Sequence, residues 1–312
     1  MSFPAASGYR DMSASTMRYT PAVYSAKLLA KFYNTSVLTS ITNTNYEGEI
    51  KSQGDTVYIR GTPDITIRNY YKGMTVTHEQ PVATPVTLLI DQGRYWAFVT
   101  DSVETKQTDL KDFVNAWTTD AAEQLKDNIE TAVHANIYAD VNAYNTGATA
   151  GIISQNINLG AGSGSGGLSL TKSNIIENII RAKQVLDEQK VPKAGRFFEI
   201  PAWASSLIMM SDYKDASLTG DGTSVSRNGR LGVIAGFEIF EVNTLKTLTD
   251  GARVCTYMNF GVKMATTFAT QLTENKVGDN PFGFGMLHKG LQVFGYKVVL
   301  PKGLGVMIAY QG

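Results

Sequence analysis

Residues that could do chemistry are few and scattered along this chain. The most suggestive stretch is Leu159-Gly160-Ala161-Gly162-Ser163-Gly164-Ser165-Gly166-Gly167, just ahead of a helical pattern with Thr171 as its candidate N-cap. Glycines before a helix can cradle phosphate, because bare backbone N–H groups and the helix N-terminus both favour an anion. A Walker-type loop needs Lys and then Ser or Thr directly after its last Gly, so that the lysine reaches the terminal phosphates. Here Gly167 is followed by Leu168, and Lys172-Ser173 come only after Thr171. A dinucleotide fingerprint needs a strand directly before it, and Ile153 to Leu159 makes a poor one. The run is therefore expected to be a flexible loop.

The other candidates fare no better. His78, His134 and His288 lie far apart and fit no metal-binding spacing. His134 falls beside the apolar face of a long helical pattern, where a satisfied structural histidine is expected. The nucleophile elbow Gly-x-Ser-x-Gly is absent, since the run Gly162 to Gly166 places Gly164 at its centre. Asp109 and Asp112 are explained by the helix dipole, and Asp140 is expected to be solvated at the helix end. Cys255 is the one cysteine, which excludes intrachain disulfides and cysteine-based zinc sites, and its apolar strand marks it as a small core residue. No catalytic, cofactor-binding or metal-binding constellation assembles, so the expectation is a protein that is not an enzyme and uses no cofactor.

The scaffold around these residues says more. The stretch from Arg94 to Thr146 contains neither Gly nor Pro, in a chain with 29 Gly and 9 Pro. From about Thr108 to Asp140, Leu110, Phe113, Val114, Trp117, Ala121, Leu125, Ile129, Val133 and Ile137 recur at steps of three and four. That spacing predicts an amphipathic helix, capped at Thr108 and roughly 50 Å long at 1.5 Å per residue. Its apolar face is expected on a sheet of C-terminal strands, with Trp117 essential to folding. Lys111, Asp120, Glu123, Lys126, Asp127 and Glu130 form the expected outward face.

Before this helix lies a segment with little core of its own. Residues 1 to 45 are polar and small apart from a short helical pattern opening at Pro21, and must lie on another surface or be disordered. Strands are expected at Thr56–Arg60, Ile65–Arg68, Met74–Thr77 and Val86–Ile90, broken by Gly61, Pro63, Gly73, Pro81 and Pro85. Residues 61 to 85 form a thin tongue bearing Arg68, Tyr70, Tyr71, Lys72, His78 and Glu79. A hairpin this thin needs another surface to hold it, and Arg68, Tyr70, Tyr71, Lys72 and Glu79 are the candidate contacts to a neighbouring subunit. After the long helix come a helix from Ile175 to Leu186, a strand Gly195–Ile200, a helix opened by Pro201, a polar loop Asp215–Asn228, and strands at Phe237–Val242, Ala252–Met258, Leu291–Leu300 and Gly303–Tyr310. The mixture is α+β, with no repeat and no regular βαβ succession.

Composition bounds the partners. Lys plus Arg and Asp plus Glu both number 28 among 312 residues, so no global field draws the chain to nucleic acid or an anionic membrane. Only 18% of residues are charged, below the usual share of about 25%, which leaves neutral surface suited to subunit contact. No run approaches the roughly 20 apolar residues of a membrane span, and the N-terminus lacks the apolar core of a signal peptide. The expected setting is a soluble, reducing one.

Several stretches, in order, resemble a known family. Glu47-Gly48-Glu49-Ile50 followed by Gly54-Asp55-Thr56-Val57 is similar to the entry into the extended loop of tailed-phage major capsid proteins. Tyr95-Trp96-Ala97-Phe98, leading to Asp101 and the long helix, resembles the entry into their spine helix. Arg230-Leu231-Gly232 with Ile234-Ala235-Gly236-Phe237 resembles their turn into a strand after a surface loop. Gly290-Leu291 with Phe294-Gly295-Tyr296-Lys297-Val298 and Pro301 resembles their closing β segment. The motifs span about 45 to 302.

The resemblance to the Hong Kong 97-like capsid fold implies an N-terminal arm at 1–48 and an E-loop region at 49–94. It further implies a P-domain spine helix at 95–141, an A-domain at 142–260 and P-domain C-terminal strands at 261–312. Implied partners are copies of itself as hexamers and pentamers, a portal, a decoration protein outside, and packaged double-stranded DNA contacted weakly, with no membrane. The site implied is the capsid of a virion assembled in the host cytoplasm. The arm is too short for a fused scaffolding segment, so a separate scaffolding protein is expected. No crosslink is expected, since nothing in one sequence locates partners for Lys72. The rivals are an encapsulin-like compartment shell and a soluble α+β phosphate-binding enzyme.

Overall fold

The computed structural model describes residues 36–45, 56–63, 65–103, 111–162, 166–211, 232–251 and 253–312. The expected early helix at Pro21, the cap at Thr108, the polar loop Asp215–Asn228 and the stretch Glu47 to Asp55 lie outside the described residues. In chain order the elements are α1 (Leu38–Ile41), β1 (Thr56–Ile59), β2 (Val86–Leu89), β3 (Gln92–Asp101), α2 (Lys111–His134), β4 (Leu168–Leu170), α3 (Ile175–Glu188) and β5 (Arg196–Ile200). There follow α4 (Ala202–Met210), β6 (Val233–Ile234), β7 (Phe237–Glu241), β8 (Thr247–Asp250), β9 (Arg253–Val262), β10 (Thr266–Asp279), β11 (Gly285–Val298) and β12 (Leu304–Gln311).

The strands form three sheets. The largest has the order β4-β12-β9-β5-β7-β6, with β8 also paired to β9. It is mixed: β4 runs parallel to β12 and β5 parallel to β7, while β9 is antiparallel to β5, β8 and β12. A second sheet is antiparallel, in the order β10-β11-β3, and the third is the pair β1-β2. The C-terminal residues 261–312 are therefore shared between sheets. β10 and β11 pair with each other and β3, whereas β12 joins the largest sheet.

β5, Arg-Phe-Phe-Glu-Ile, is buried along its whole length, as a strand covered on both faces must be. On one face Phe198, Phe237 and Phe260 gather under Ile179, Ala182 and Leu186 of α3 and Leu207 and Ile208 of α4. Phe198 stacks on Phe260 at 5.4 Å between centroids, and Phe237 meets both rings edge-on. Gly305 of β12 lies flush against this cluster, since a Cβ there would stand 2.3 Å from the Phe260 ring. The ring is wholly buried and has no free direction in which to yield. Gly305→Ala is therefore expected to cost about 1–3 kcal/mol through overpacking, seen as a lower urea midpoint; an unchanged midpoint would show that the aromatic cluster is loose.

On the opposite face of the same sheet, Phe197, Val262 and Leu304 meet Ile129, Val133 and Ile137 from the end of α2, together with Phe268, Phe294 and Val298 of β10 and β11. The helix is thus wedged between two sheets, not laid on one. Its α-helical part ends at His134, short of the end of the apolar pattern, and the chain tightens into a 3-10 turn at Ile137–Asp140. Asn136 donates from its side chain to the Ala132 carbonyl at 3.1 Å, satisfying one of the carbonyls a helix end leaves free. The turn still returns Ile137 to the core, so the apolar pattern outlasts the α-helix.

Two expectations about helix faces need correction. Trp117 is 40% exposed, with an edge contact to Phe98 at 5.9 Å, so it cannot be the residue on which folding depends. Glu130, expected on the outward face, is buried. The end of the arm is also corrected: Leu38 and Ile41 belong to the core beside α2, and Asn43 bonds Thr266 and Phe268 of β10 at 2.8 and 3.0 Å. That piece is sewn into its own subunit.

Candidate inter-subunit surface

The tongue grows from the β1-β2 pair, whose register runs from Thr56 opposite Leu89 to Ile59 opposite Val86. Its root is anchored, because Ile59, Leu88 and Ile90 bury with Ala269 against Val293 and Val299. Beyond the root no regular strand is present among the described residues, and those expected at Ile65–Arg68 and Met74–Thr77 do not form a ladder. Polar contacts hold the two limbs instead. Glu79 accepts from the Thr66 N–H at 2.6 Å and pairs with Arg68 at 3.5 Å. The tip reverses at Lys72-Gly73, where Gly73 takes φ +87° and the Met74 N–H donates to the Tyr71 carbonyl at 3.1 Å. A turn with positive φ at its third residue favours Gly for want of a Cβ.

Of the five candidate contact residues, Arg68 and Glu79 pair with each other within the tongue. Tyr70 and Tyr71 are exposed, with Ile67 and Val82 at 90% and 85%, and Lys72 stands exposed at the tip. The tongue thus holds apolar side chains clear of any protein surface. An isolated chain would keep such residues in water at a cost of about 1.5–3 kcal/mol each relative to burial. A second projection was missed: the β10-β11 hairpin ends in Phe282 and Phe284, 97% and 86% exposed. The two phenylalanines flanking Gly283 before Gly285 were the available signal.

The remaining candidates for chemistry are accounted for structurally. Leu159 accepts from the Ile308 N–H at 2.8 Å, and Gly160 (φ +83°) lies so close to β12 that a Cβ would sit 2.0 Å from the Ile308 carbonyl oxygen. The beginning of the glycine run is therefore packed on a sheet edge, not a flexible loop; 163–165 are outside the described residues. Asp140, expected to be solvated, is exposed and also pairs with Lys297 at 2.7 Å. Glu188 accepts from the Ile153 and Ser154 amides at 2.8 and 3.1 Å. Burial pushes its pKa up, but those amides outweigh it and hold the pKa below the ordinary value. Cys255 is buried, and burial raises its pKa, leaving an inert thiol. His288 stacks on Phe98 at 5.0 Å. Among the described residues no three His, Cys, Asp or Glu side chains group to hold a metal ion, and no helix is long and apolar enough to cross a membrane.

Several solved structures share this arrangement of elements. A structure from Mycobacterium phage Che8 superposes with a TM-score of 0.73 and 24% identity, covering 92% of this chain and 96% of that one. The capsid structure of cyanophage P-SCSP1u gives 0.71 and 12% identity over 94% of each chain. The chain has the Hong Kong 97-like capsid fold. The mature capsid of bacteriophage PhiM1 matches at 0.66 and 14% identity over 96% of each chain, so the likeness of fold runs over nearly the whole chain. No family model matches the sequence, and no curated protein does. At 12% to 24% identity the likeness is one of fold, with few shared residues.

Proposed function

We propose that this chain is a major capsid protein, a shell subunit that assembles with copies of itself into the icosahedral coat around a double-stranded DNA phage genome. One observation carries the reading: the chain and capsid structures cover each other almost end to end. In this reading residues 1–48 are the arm, 49–94 the E-loop region, 95–141 the spine segment, 142–260 the A-domain and 261–312 the C-terminal strands, with β12 stitching the last to the A-domain. Arg68, Tyr70, Tyr71, Lys72 and Glu79 lie on neighbouring subunits, where the exposed apolar residues of the tongue find cover. The shell is built of hexamers and pentamers in the host cytoplasm, with a separate scaffolding protein and a portal. Equal numbers of acidic and basic residues suit a wall that touches DNA weakly, because phosphate contacts accumulate affinity with each cation.

Sedimentation of the protein expressed with its genomic neighbours tests this. Particles many times heavier than the 33.9 kDa chain, unaffected by added nucleotide, are expected. A stable monomer whose melting temperature rises with nucleotide would replace the shell by a phosphate-binding enzyme. Homogeneous small shells made by the chain alone would favour a compartment shell without scaffold.

A further inference from the structure

A buried polar cluster sits where the end of α2 meets the largest sheet, and shell building gives it no task. His134, in the last turn of α2, has Glu199 Oε1 of β5 2.9 Å from Nε2 and Thr244 Oγ1 3.0 Å from Nδ1. The His134 and Glu199 side chains are both 0% exposed. Glu199 Oε2 accepts from Asn259 Nδ2 of β9 at 2.8 Å. One helical turn before His134, buried Glu130 accepts from the Val37 N–H at 3.4 Å. Five separate pieces of chain therefore meet at two carboxylates and one imidazole.

We propose that His134, Glu199 and Glu130 form a proton-dependent clasp that fixes the end of α2 to the largest sheet, closed while His134 carries its proton and loosened when it is lost. The geometry suits the imidazolium. Both ring nitrogens donate when the ring is charged, and each faces an oxygen that can accept, a carboxylate on one side and a hydroxyl on the other. Loss of the proton leaves two buried carboxylates with no cation between them, the arrangement that costs most in a low-dielectric interior. Among the described residues the other elements packed here supply no charge: β9 gives Asn259, the loop after β7 gives Thr244, and the segment before α1 gives Ser36 and the Val37 amide. β10 and β11 face the helix end with Phe268, Phe294 and Val298.

The direction of the proton equilibria agrees. Burial opposes charge on His134, but Glu199 and then Glu130 outweigh it, and its pKa lies above the ordinary value. Burial also raises Glu130, more than the Ser36 hydroxyl, His134 and the Val37 amide lower it. A group whose pKa is raised on folding adds stability below its unfolded pKa and loses it as pH rises through the folded one. For His134 the contribution is complete below about pH 6.5 and fades above it, and Glu130 acts in the same direction at lower pH. Mild acid tightens the clasp and alkali loosens it. The clasp stands whether or not the chain builds a shell.

Hydrogen exchange on the full chain tests the proposal, with amides 130–137 followed between pH 5.5 and 8.5 and corrected for intrinsic exchange. Protection there is expected to fall with rising pH, by up to about tenfold for each unit by which the His134 pKa is raised, while amides of β12 stay constant. His134→Gln is expected to abolish that slope. Flat protection in the wild type, or an unchanged slope in His134→Gln, would overturn the clasp. If His134→Gln does not fold, NMR of labelled imidazoles in the wild type decides: a His134 pKa above that of exposed His78 supports the proposal, and one at or below it refutes it.

Discussion

Val133→Asp leaves no folded subunit, whereas Trp117→Asp leaves one that folds. The contrast follows from where α2 sits. Val133 is wholly buried at the point where the helix is wedged between Phe197 and Val262 of one sheet and Phe268 and Phe294 of the other. A carboxylate placed there has no cation to meet, and an uncompensated buried charge costs several kcal/mol. Added to the lost packing, that is comparable with the whole stability of a domain, about 5–15 kcal/mol. Circular dichroism should show no cooperative melt for Val133→Asp, and the protein should be recovered in the insoluble fraction. Trp117 is half in water and touches Phe98 by an edge. Its replacement should cost about 1–2 kcal/mol, with a cooperative melt retained. A soluble, cooperatively melting Val133→Asp protein would mean that α2 packs elsewhere.

The second large effect concerns the tongue. Replacing residues 63–84 by a short Gly/Ser link should leave a folded subunit that makes no stable shells. Folding survives because the anchoring residues Ile59, Leu88 and Ile90 lie outside the deleted span. Assembly does not, because Ile67, Tyr70, Tyr71 and Val82 go with it. If even two of these are buried between subunits, each contact loses about 3–6 kcal/mol, a weakening beyond about a hundredfold. Chromatography should show subunits or small oligomers with the melting temperature of the intact chain nearly kept. Normal shells from this variant would remove the tongue from the contact surface.

How legible all this was in the sequence depended on how local the determining forces are. α3, β5, β11 and β12 are readable because apolar residues recur at the period of the element. β10 escaped notice: Thr266 to Asp279 carries mostly polar residues, and its strand character comes from its ladder with β11, which no local pattern announces. The reverse error occurred in the tongue. Ile65–Arg68 and Met74–Thr77 have β-branched composition, but propensity without a partner strand forms no ladder. Glu130 reads as one more charge on an outward face because its partners are remote: Val37 stands 93 positions away, and Glu199 65 positions from His134. The tongue's five residues were legible as a surface feature because a segment without a core is visible in composition alone.

The central claim is that this chain builds a closed shell, and electron microscopy of the purified protein, co-expressed with its genomic neighbours, tests it most directly. The account predicts closed icosahedral particles with the tongue of each subunit lying on a neighbour. Monodisperse single subunits under the same conditions, folded and stable, would contradict it.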